Sequence, residues 1–441
     1  MVVGIIVCII FAIVAALMMT KKLPALLAMP VLAVAIAAVA GMPLMSGEEN
    51  IFTTVLTGGS VKLASSFVAV IFASWLAQIM YNTGVTDTMI KKAAELGGDK
   101  PVVVTLLLCA VSILLFSAMG GVGAVAMVGG TVLPILISIG IKPMAAAHLF
   151  LAAMSAGYCI RPSNMTALVT IFGVEIQDLM TAAWILLAAE VVFILVYLAF
   201  YMKKTGKKFA FSAPAESEQA DEDLKGITKE KKVTGIRGFL ACLTPFVIVL
   251  LTFVFKMAPV PCFIIGILWI MIFTFNGSWS RYISMVTQSC YDGIRDAAPP
   301  IILFMGIGMT LNAVSASITQ EALLPFMQLI TPATLIGLLI FCCVLSPLSL
   351  YRGPFNVLGL GACLATCILN VGNFTPVLLA AVFYCTFRWP AQSCPTATQV
   401  VWTSNYVGCE PVGLSNKVFV ANWIETAATV IIVGLLYSAM V

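Results

Sequence analysis

Two weakly similar halves, each carrying a glycine-rich apolar hairpin with limbs too short to cross a bilayer, constrain this chain more than any other feature. Gly123 and Gly129 lie in SAMGGVGAVAMVGG, residues 117–130, and Gly353 and Gly359 lie in SPLSLYRGPFNVLGLG, residues 346–361, about 230 residues later. Glu190, in AAEVVFILVYL, returns as Glu425 in IETAATVIIVGLL. The solvent for such a chain is lipid. Its residues are 61% hydrophobic and 10% charged, with a mean hydropathy of +1.09, far more apolar surface than a soluble core requires. The first apolar run has no preceding positive charge and is followed by Lys21-Lys22, so it reads as a first span rather than a cleavable signal.

Apolar segments near 2–19, 23–41, 64–82, 143–173 and 180–202 are each long enough to cross roughly 30 Å of hydrocarbon. Between the third and fourth lies 102–139, interrupted by glycines near 120–124. Each limb holds about 15 residues, or roughly 22 Å of helix, which predicts a re-entrant hairpin. The second half repeats this plan with spans near 238–256, 259–276, 293–317, 375–406 and 418–440 and a hairpin at 333–371. The expected fold is an all-α polytopic membrane protein of two repeats, 1–202 and 238–441, each of about five spans plus a hairpin. A hydrophilic linker at 203–237 joins them. Stretches 51–63 and 279–291 are only partly apolar and read equally as interfacial helices or as extensions of the spans they precede.

Charge sets the orientation. Lys21, Lys22, Lys91, Lys92, Lys100, Lys142, Arg281 and the linker, with its eight lysines and Arg237, fall on one side. Lys62 and Lys256 fall on the other. The lysine-rich side is cytoplasmic, which puts both termini outside. Five crossings in the first half make the second half insert upside down. An inverted repeat with interrupted apolar segments is the pattern of a secondary transporter, here of the bacterial cytoplasmic membrane.

Intramembrane charge marks the candidate site. Arg352 lies in the second hairpin tip beside Ser346, Ser349, Gly353 and Asn356. Arg161 opens RPSNMT, a proline-interrupted helix with Ser163, Asn164 and Thr166. Arg388 opens RWPAQSCPTAT, with Ser393 and Thr396 beside Pro390 and Pro395. An arginine in hydrocarbon needs a partner or an aqueous cavity, and its planar fork suits a carboxylate. Arg352, Arg161 and Arg388 are therefore expected to neutralise a small organic anion. Ser163, Asn164, Asn356, Ser349 and Gly353 would orient it. Loose carbonyls and hydroxyls at Thr166, Gly121, Ser393 and Thr396, with the acid Glu425, are candidates for a coupling sodium ion or proton. Pro162 matches Pro395 between the halves, which leaves Arg388 about one helical turn out of register.

Other residues read as structure. Glu190 and Glu425 occupy matching places and favour a structural role. His148 is the only histidine and reads as a hydrogen-bonded packing residue. Asp292 and Asp296 flank Arg295 and read as a local ion-pair cluster. The 13 cysteines have no metal spacing and read as small packing residues. No motif of a membrane enzyme is present, no basic patch suggests nucleic acid, and paired hairpins suit alternating access better than a pore.

The stretch GIKPMAAAHLFLAAMSAGYCIRPSNMTALVTIFGVEIQDLM, residues 140–180, and the end NWIETAATVIIVGLLYSAMV resemble the ion transporter superfamily, nearest to gluconate, citrate and C4-dicarboxylate permeases. Pro162, Ala167 and Ile171-Phe172 match the small-residue segment, break and "ATIF"-like continuation of the gluconate permeases, and Glu425 matches a glutamate near their C-terminus. The resemblance implies inverted repeats, re-entrant hairpins and broken helices around an organic-anion site. It also implies an elevator-like movement and a homodimer. The sequence departs from that pattern where Arg161-Pro162-Ser163-Asn164 replaces a histidine and proline run. Ser163-Asn164-Met165-Thr166 only approximates the Ser-Asn-Thr signature of sodium-coupled relatives. The expected function is cation-coupled symport of a di- or tricarboxylate, without a further cofactor or resident metal. A sugar-acid permease, or the large membrane subunit of a binding-protein-dependent carboxylate carrier, are the alternatives.

Overall fold

In this computed structural model the described residues are 2–20, 22–205 and 235–439. The expected linker therefore lies, over 206–234, outside the described residues. All regular structure among the described residues is helical. The first half runs α1 (Val2–Met19), α2 (Ala25–Val39), α3 (Ile51–Asn82), α4 (Val85–Gly97), α5 (Pro101–Ala118), α6 (Val122–Ser138), α7 (Pro143–Cys159), α8 (Pro162–Phe172) and α9 (Met180–Thr205). The second runs α10 (Gly235–Cys242), α11 (Thr244–Phe253), α12 (Pro259–Thr274), α13 (Trp279–Ser315), α14 (Ser317–Ile330), α15 (Leu335–Leu345), α16 (Gly361–Val371), α17 (Pro376–Ser393), α18 (Thr398–Tyr406) and α19 (Pro411–Ala439). Proline opens α5, α7, α8, α12 and α17, where its missing N–H costs no helical hydrogen bond. Among the described residues, six stretches are long and apolar enough to cross a membrane, or eight when the bent pairs α7/α8 (54°) and α10/α11 (42°) each count as one span.

The element order repeats: entry helices, one long helix, an amphipathic helix, a hairpin, a broken helix and a last long helix. The long helices settle what 51–63 and 279–291 are. Both are continuous with the spans that follow them, inside α3 and α13, with a π-helical first stretch over Ile51–Gly58. The amphipathic segments come after these spans instead. In α4, Val85, Met89, Ile90 and Ala93 are buried while Lys92, Glu95 and Leu96 are exposed, an i, i+4 stripe that faces the bundle.

Helices α3 and α13 pack along their length and in opposite directions. Gly59 meets Gly308 and Met309 at one end, and Gly293 meets Ser74 and Trp75 further along, so rising numbers on one helix face falling numbers on the other. A Cβ at Gly293 would sit 2.7 Å from the Trp75 amide nitrogen, so only glycine permits this approach. Polar bonds complete the contact: Gln78 Nε2 donates to Asp296 Oδ2 at 2.7 Å, and Asn82 Nδ2 to Ser289 Oγ at 2.9 Å. Asn312 Nδ2 donates to the Thr54 carbonyl at 2.9 Å. α2 lies against α13 and α12 against α3.

The hairpin limbs spread onto other helices. α5 packs on α7 and α4, α6 on α7 and α18, α15 on α19, and α16 on α13 and α14. At 18 residues α5 is longer than the expected limb and meets the length and hydropathy of a full span. Limb length therefore does not by itself make this hairpin re-entrant.

One contact outside the spans ties the halves together. Glu49, in the loop before α3, accepts from the Ser317 hydroxyl at 2.6 Å and from its backbone amide at 3.0 Å, at the start of α14. These bonds, the hydroxyl's first, hold the Glu49 carboxyl below its ordinary value of 4.5. A depressed carboxylate contributes stability that is present above the unfolded value and lost as pH falls through the folded one. Because Glu49 lies near the surface and is only partly buried, the contribution is small. Glu49→Gln should lower the melting midpoint slightly at pH 7 and leave it unchanged at pH 3, measured by thermal unfolding in detergent. At the helix crossing, Gly293→Leu should abolish monodisperse protein on size-exclusion chromatography, because α3 and α13 cannot separate locally.

Candidate functional site

Both proline breaks and both hairpin tips converge on one cavity. The residue before a proline is driven out of the helical region, and Arg161 (φ −81°, ψ 120°) and Cys394 (φ −73°, ψ 120°) adopt the extended backbone this requires. α7 accordingly ends at Cys159 and α17 at Ser393. The cavity between the breaks, of about 550 Å³, is also lined by α3, α13 and the turn between α1 and α2. Leu303, Phe304, Phe387 and Val70 supply much of its apolar wall.

Arg161 enters this cavity from the first break. One guanidinium nitrogen donates to the Met119 carbonyl at 3.0 Å, another donates to Asn164 Oδ1, and the group lies 4.0 Å from the centre of the Tyr158 ring. Its Nε is buried without a partner. The first tip, Gly120-Gly121, passes directly over it. A side chain at Gly120 would collide with the Arg161 guanidinium, and one at Gly123 with the Asp296 carboxylate. Gly121, at φ +92°, makes the turn between α5 and α6 in a conformation that favours glycine.

Arg352 enters from the second tip. Tyr351 and Arg352 are both at φ 57°, a left-handed conformation that costs about 1–3 kcal/mol for such residues. The loop holds them there. Arg352 donates to the Leu358 carbonyl at 3.1 Å and accepts from the Leu360 amide at 3.0 Å. Asn356 Oδ1 accepts from the Leu358 amide at 3.0 Å, and the Tyr351 amide donates to Cys394 Sγ at 3.1 Å, joining tip to break. Among the described residues no carboxylate lies within 4.0 Å of Arg161 or Arg352.

Of the residues expected at the site, Arg352, Arg161, Ser163, Asn164, Asn356, Gly121 and Thr396 line this cavity. Ser349 and Gly353 shape the second tip from behind: Ser349 is fully buried with its hydroxyl unpartnered, and Gly353 lies against the Leu348 carbonyl. Thr166 spends its hydroxyl on the Ser163 carbonyl at 2.8 Å. Ser393 accepts from Asn422 at 2.9 Å, away from the cavity. The breaks leave few free carbonyls for a coupling ion. That of Tyr158 accepts from Asn164 Nδ2 at 3.1 Å, that of Cys159 from the Tyr384 hydroxyl at 2.5 Å, and that of Ala391 from Gln399 at 3.2 Å. No group of three or more His, Cys, Asp or Glu suited to a metal occurs among the described residues.

Arg388 is not in the cavity. Its guanidinium is held by Glu190 at 2.7 Å and Glu425 at 3.0 Å, with Thr426 Oγ1 at 2.9 Å. Ser155 donates to the same Glu190 oxygen at 2.6 Å. The register difference at Pro395 explains this placement, since lying seven residues, nearly two helical turns, before that proline puts Arg388 among α7, α9 and α19. Glu425 is thereby occupied as the counter-ion of Arg388, and the matching acids of the two halves meet across one guanidinium. His148 is likewise a packing residue, bonded to the Tyr197 hydroxyl at 2.8 Å and the Leu414 carbonyl at 2.9 Å.

Sequence reasoning missed Asp296, Gln78, Ser74 and Tyr158. Asp292 pairs with Arg295 at 3.1 Å as expected, but Asp296 points away, bonds Gln78 and lines the cavity. The prolines at 299 and 300, a turn beyond it and also in the lining, were the available signal.

With this geometry in place, comparison with known proteins places the fold. No family model matches the chain, and no curated protein matches it. The chain is similar to the solved YdaH transporter of Alcanivorax borkumensis, at 12% identity over 93% of this chain and 97% of that one, with a TM-score of 0.54. It is also similar to MtrF of Neisseria gonorrhoeae, which belongs to a class of antimetabolite efflux pumps, at 12% identity over 95% and 94%, with a TM-score of 0.55. The class is thus an all-α polytopic membrane protein that shares its fold with these two transporters. The likeness is to these transporters in fold, and it does not extend to the carboxylate permeases of the ion transporter superfamily expected from sequence.

The two kinds of arginine predict opposite outcomes. Removing one partner of a buried ion pair costs about 3–5 kcal/mol, so Arg388→Met should prevent accumulation of folded protein. Arg352→Gln should fold, because its loop is held mainly by backbone bonds. Melting midpoints of the two purified variants test the contrast.

Proposed function

We propose that this protein is a secondary transporter carrying a small di- or tricarboxylate through the central cavity, coupled to sodium or proton entry. The observation that carries the reading is that Arg161 and Arg352, one from each half, line a single cavity with no acid partner among the described residues. An unpaired guanidinium in an apolar surround costs several kcal/mol, and an anionic substrate relieves that cost twice over. Asn164 and Asn356 hold the arginines and the loop in place, with Ser163 beside them. The transporter fold shared with YdaH and MtrF supports transport as such; the carboxylate comes from the arginines.

Alternating access follows from the same plan. The counterpart helices α3 and α13 run antiparallel, as two halves inserted upside down require, and this supports an inverted repeat. The lysine distribution is what favours a bacterial cytoplasmic membrane with both termini outside. The hairpins and broken helices would move together against α3 and α13 in an elevator-like step, within a homodimer. The tip glycines, packed on Asp296 by contact rather than by covalent link, allow that sliding.

Uptake of radiolabelled citrate, succinate, malate, glutarate, gluconate and lactate into proteoliposomes, under separate sodium and proton gradients, tests the function. Saturable uptake of a di- or tricarboxylate is the expected result, and Arg352→Gln should reduce it at least tenfold while the protein stays folded. Uptake of gluconate alone would assign a sugar-acid permease. No uptake of any acid by folded protein would overturn the reading in favour of a carrier subunit that needs a partner.

A further inference from the structure

The cavity contains a negative group that a simple dicarboxylate leaves unanswered. Asp296 lines it beside Arg161 and Arg352, yet among the described residues no lysine, arginine or histidine nitrogen lies within 4.0 Å of its carboxylate. One oxygen, Oδ2, accepts from Gln78 at 2.7 Å. That amide is neutral, so the bond is not an ion pair. Neither cavity arginine makes direct contact with the carboxylate, because the first hairpin tip stands between Arg161 and Asp296. Gly120 lies against the Arg161 guanidinium, and its neighbours Gly121 and Gly123 lie against Asp296. Adjacent Cα atoms are about 3.8 Å apart, so the opposite charges face one another across little more than a dipeptide. Beside Gly121, the Ser74 hydroxyl is fully buried and has no hydrogen-bond partner.

Resting on the carboxylate reading above, we infer that the substrate is an amino-bearing carboxylate: its carboxylates meet Arg161 and Arg352, and its ammonium meets Asp296. A zwitterion carries both signs of charge that this lining presents. The unpartnered Ser74 hydroxyl offers the ammonium a second acceptor. Every charge in the cavity is then answered, and the substrate bridges α13, the first tip and both arginines. A coupling cation at Asp296 would answer the same charge without an amino group on the substrate, and the experiment separates these occupants.

Binding to the purified full chain in nanodiscs, by scintillation proximity or calorimetry, would compare aspartate and glutamate with succinate and glutarate, and glutamate with N-acetylglutamate. The amino-bearing acid should bind the wild-type protein at least tenfold tighter than its partner without a free ammonium, the worth of one shielded charge-assisted hydrogen bond. Asp296→Asn should bring that ratio close to one. Equal wild-type affinities within each pair would overturn the inference and leave the carboxylate reading standing. A preference retained in Asp296→Asn would overturn the assignment to Asp296. If instead sodium tightens succinate to the level of aspartate, and only in protein with Asp296, the charge is answered by an ion and the inference falls. Binding of none of the acids would overturn both readings. The N-acetylglutamate comparison needs no variant, so it decides the matter even where Asp296→Asn fails to fold.

Discussion

Inside hydrocarbon no water repairs a broken helix, so every interruption of the backbone has to be satisfied by protein or by an enclosed cavity. Around the cavity, among the described residues, these interruptions are the breaks at Pro162 and Pro395 and two tips that leave the α-helical conformation, at Gly120-Gly121 and over 346–360. Their solution is mutual. The Met119 carbonyl of the first tip takes a hydrogen bond from Arg161 of the first break, and Cys394 of the second break takes one from the amide of Tyr351 in the second tip. The Tyr384 hydroxyl of α17 reaches the Cys159 carbonyl of α7. The interruptions are thus drawn to one place, and the cavity is what remains between them.

Charge is distributed by the same logic. Arg388 is held by two glutamates from α9 and α19 and clasps the bundle. Arg161 is half answered, by a carbonyl, an amide oxygen and an aromatic face. Arg352 stands on a strained loop with one carbonyl. A structural arginine has its compensation within the fold, whereas a binding arginine keeps capacity for a ligand, and the three residues fall along that scale. On the proposed reading Asp296 belongs at the binding end, since among the described residues its carboxylate is hydrogen-bonded to a neutral amide.

The long helices α3 and α13 supply the fixed wall. Glycines at 59, 293 and 308 bring their backbones together over a length that side chains would otherwise hold apart. Asp296 sits on this wall and the tip glycines press on it from the opposite side. On the function proposed above, the substrate would lie between this wall and the tips, and its charge pattern would bear on its release.

Much of this was legible in the sequence. Hydropathy and length determined an all-helical membrane protein, because only closed backbone hydrogen bonding survives in lipid. The prolines at 162 and 395 marked the breaks, and the pairing of an intramembrane Arg with each interrupted segment pointed to Arg161 and Arg352. The fate of Arg388 was not legible. Its neighbours in sequence, Trp389 and Pro390, say nothing of Glu190, which lies 198 residues away and reaches it only when α9 packs on α17. Asp296 was hidden for the converse reason: its sequence neighbour Arg295 offers a local ion pair, and helical direction alone decides that Asp292 takes it. Sequence determined which residues are too polar for lipid; only the tertiary structure decided which of them compensate one another, because compensation depends on distances of a few ångström between helices far apart in the chain.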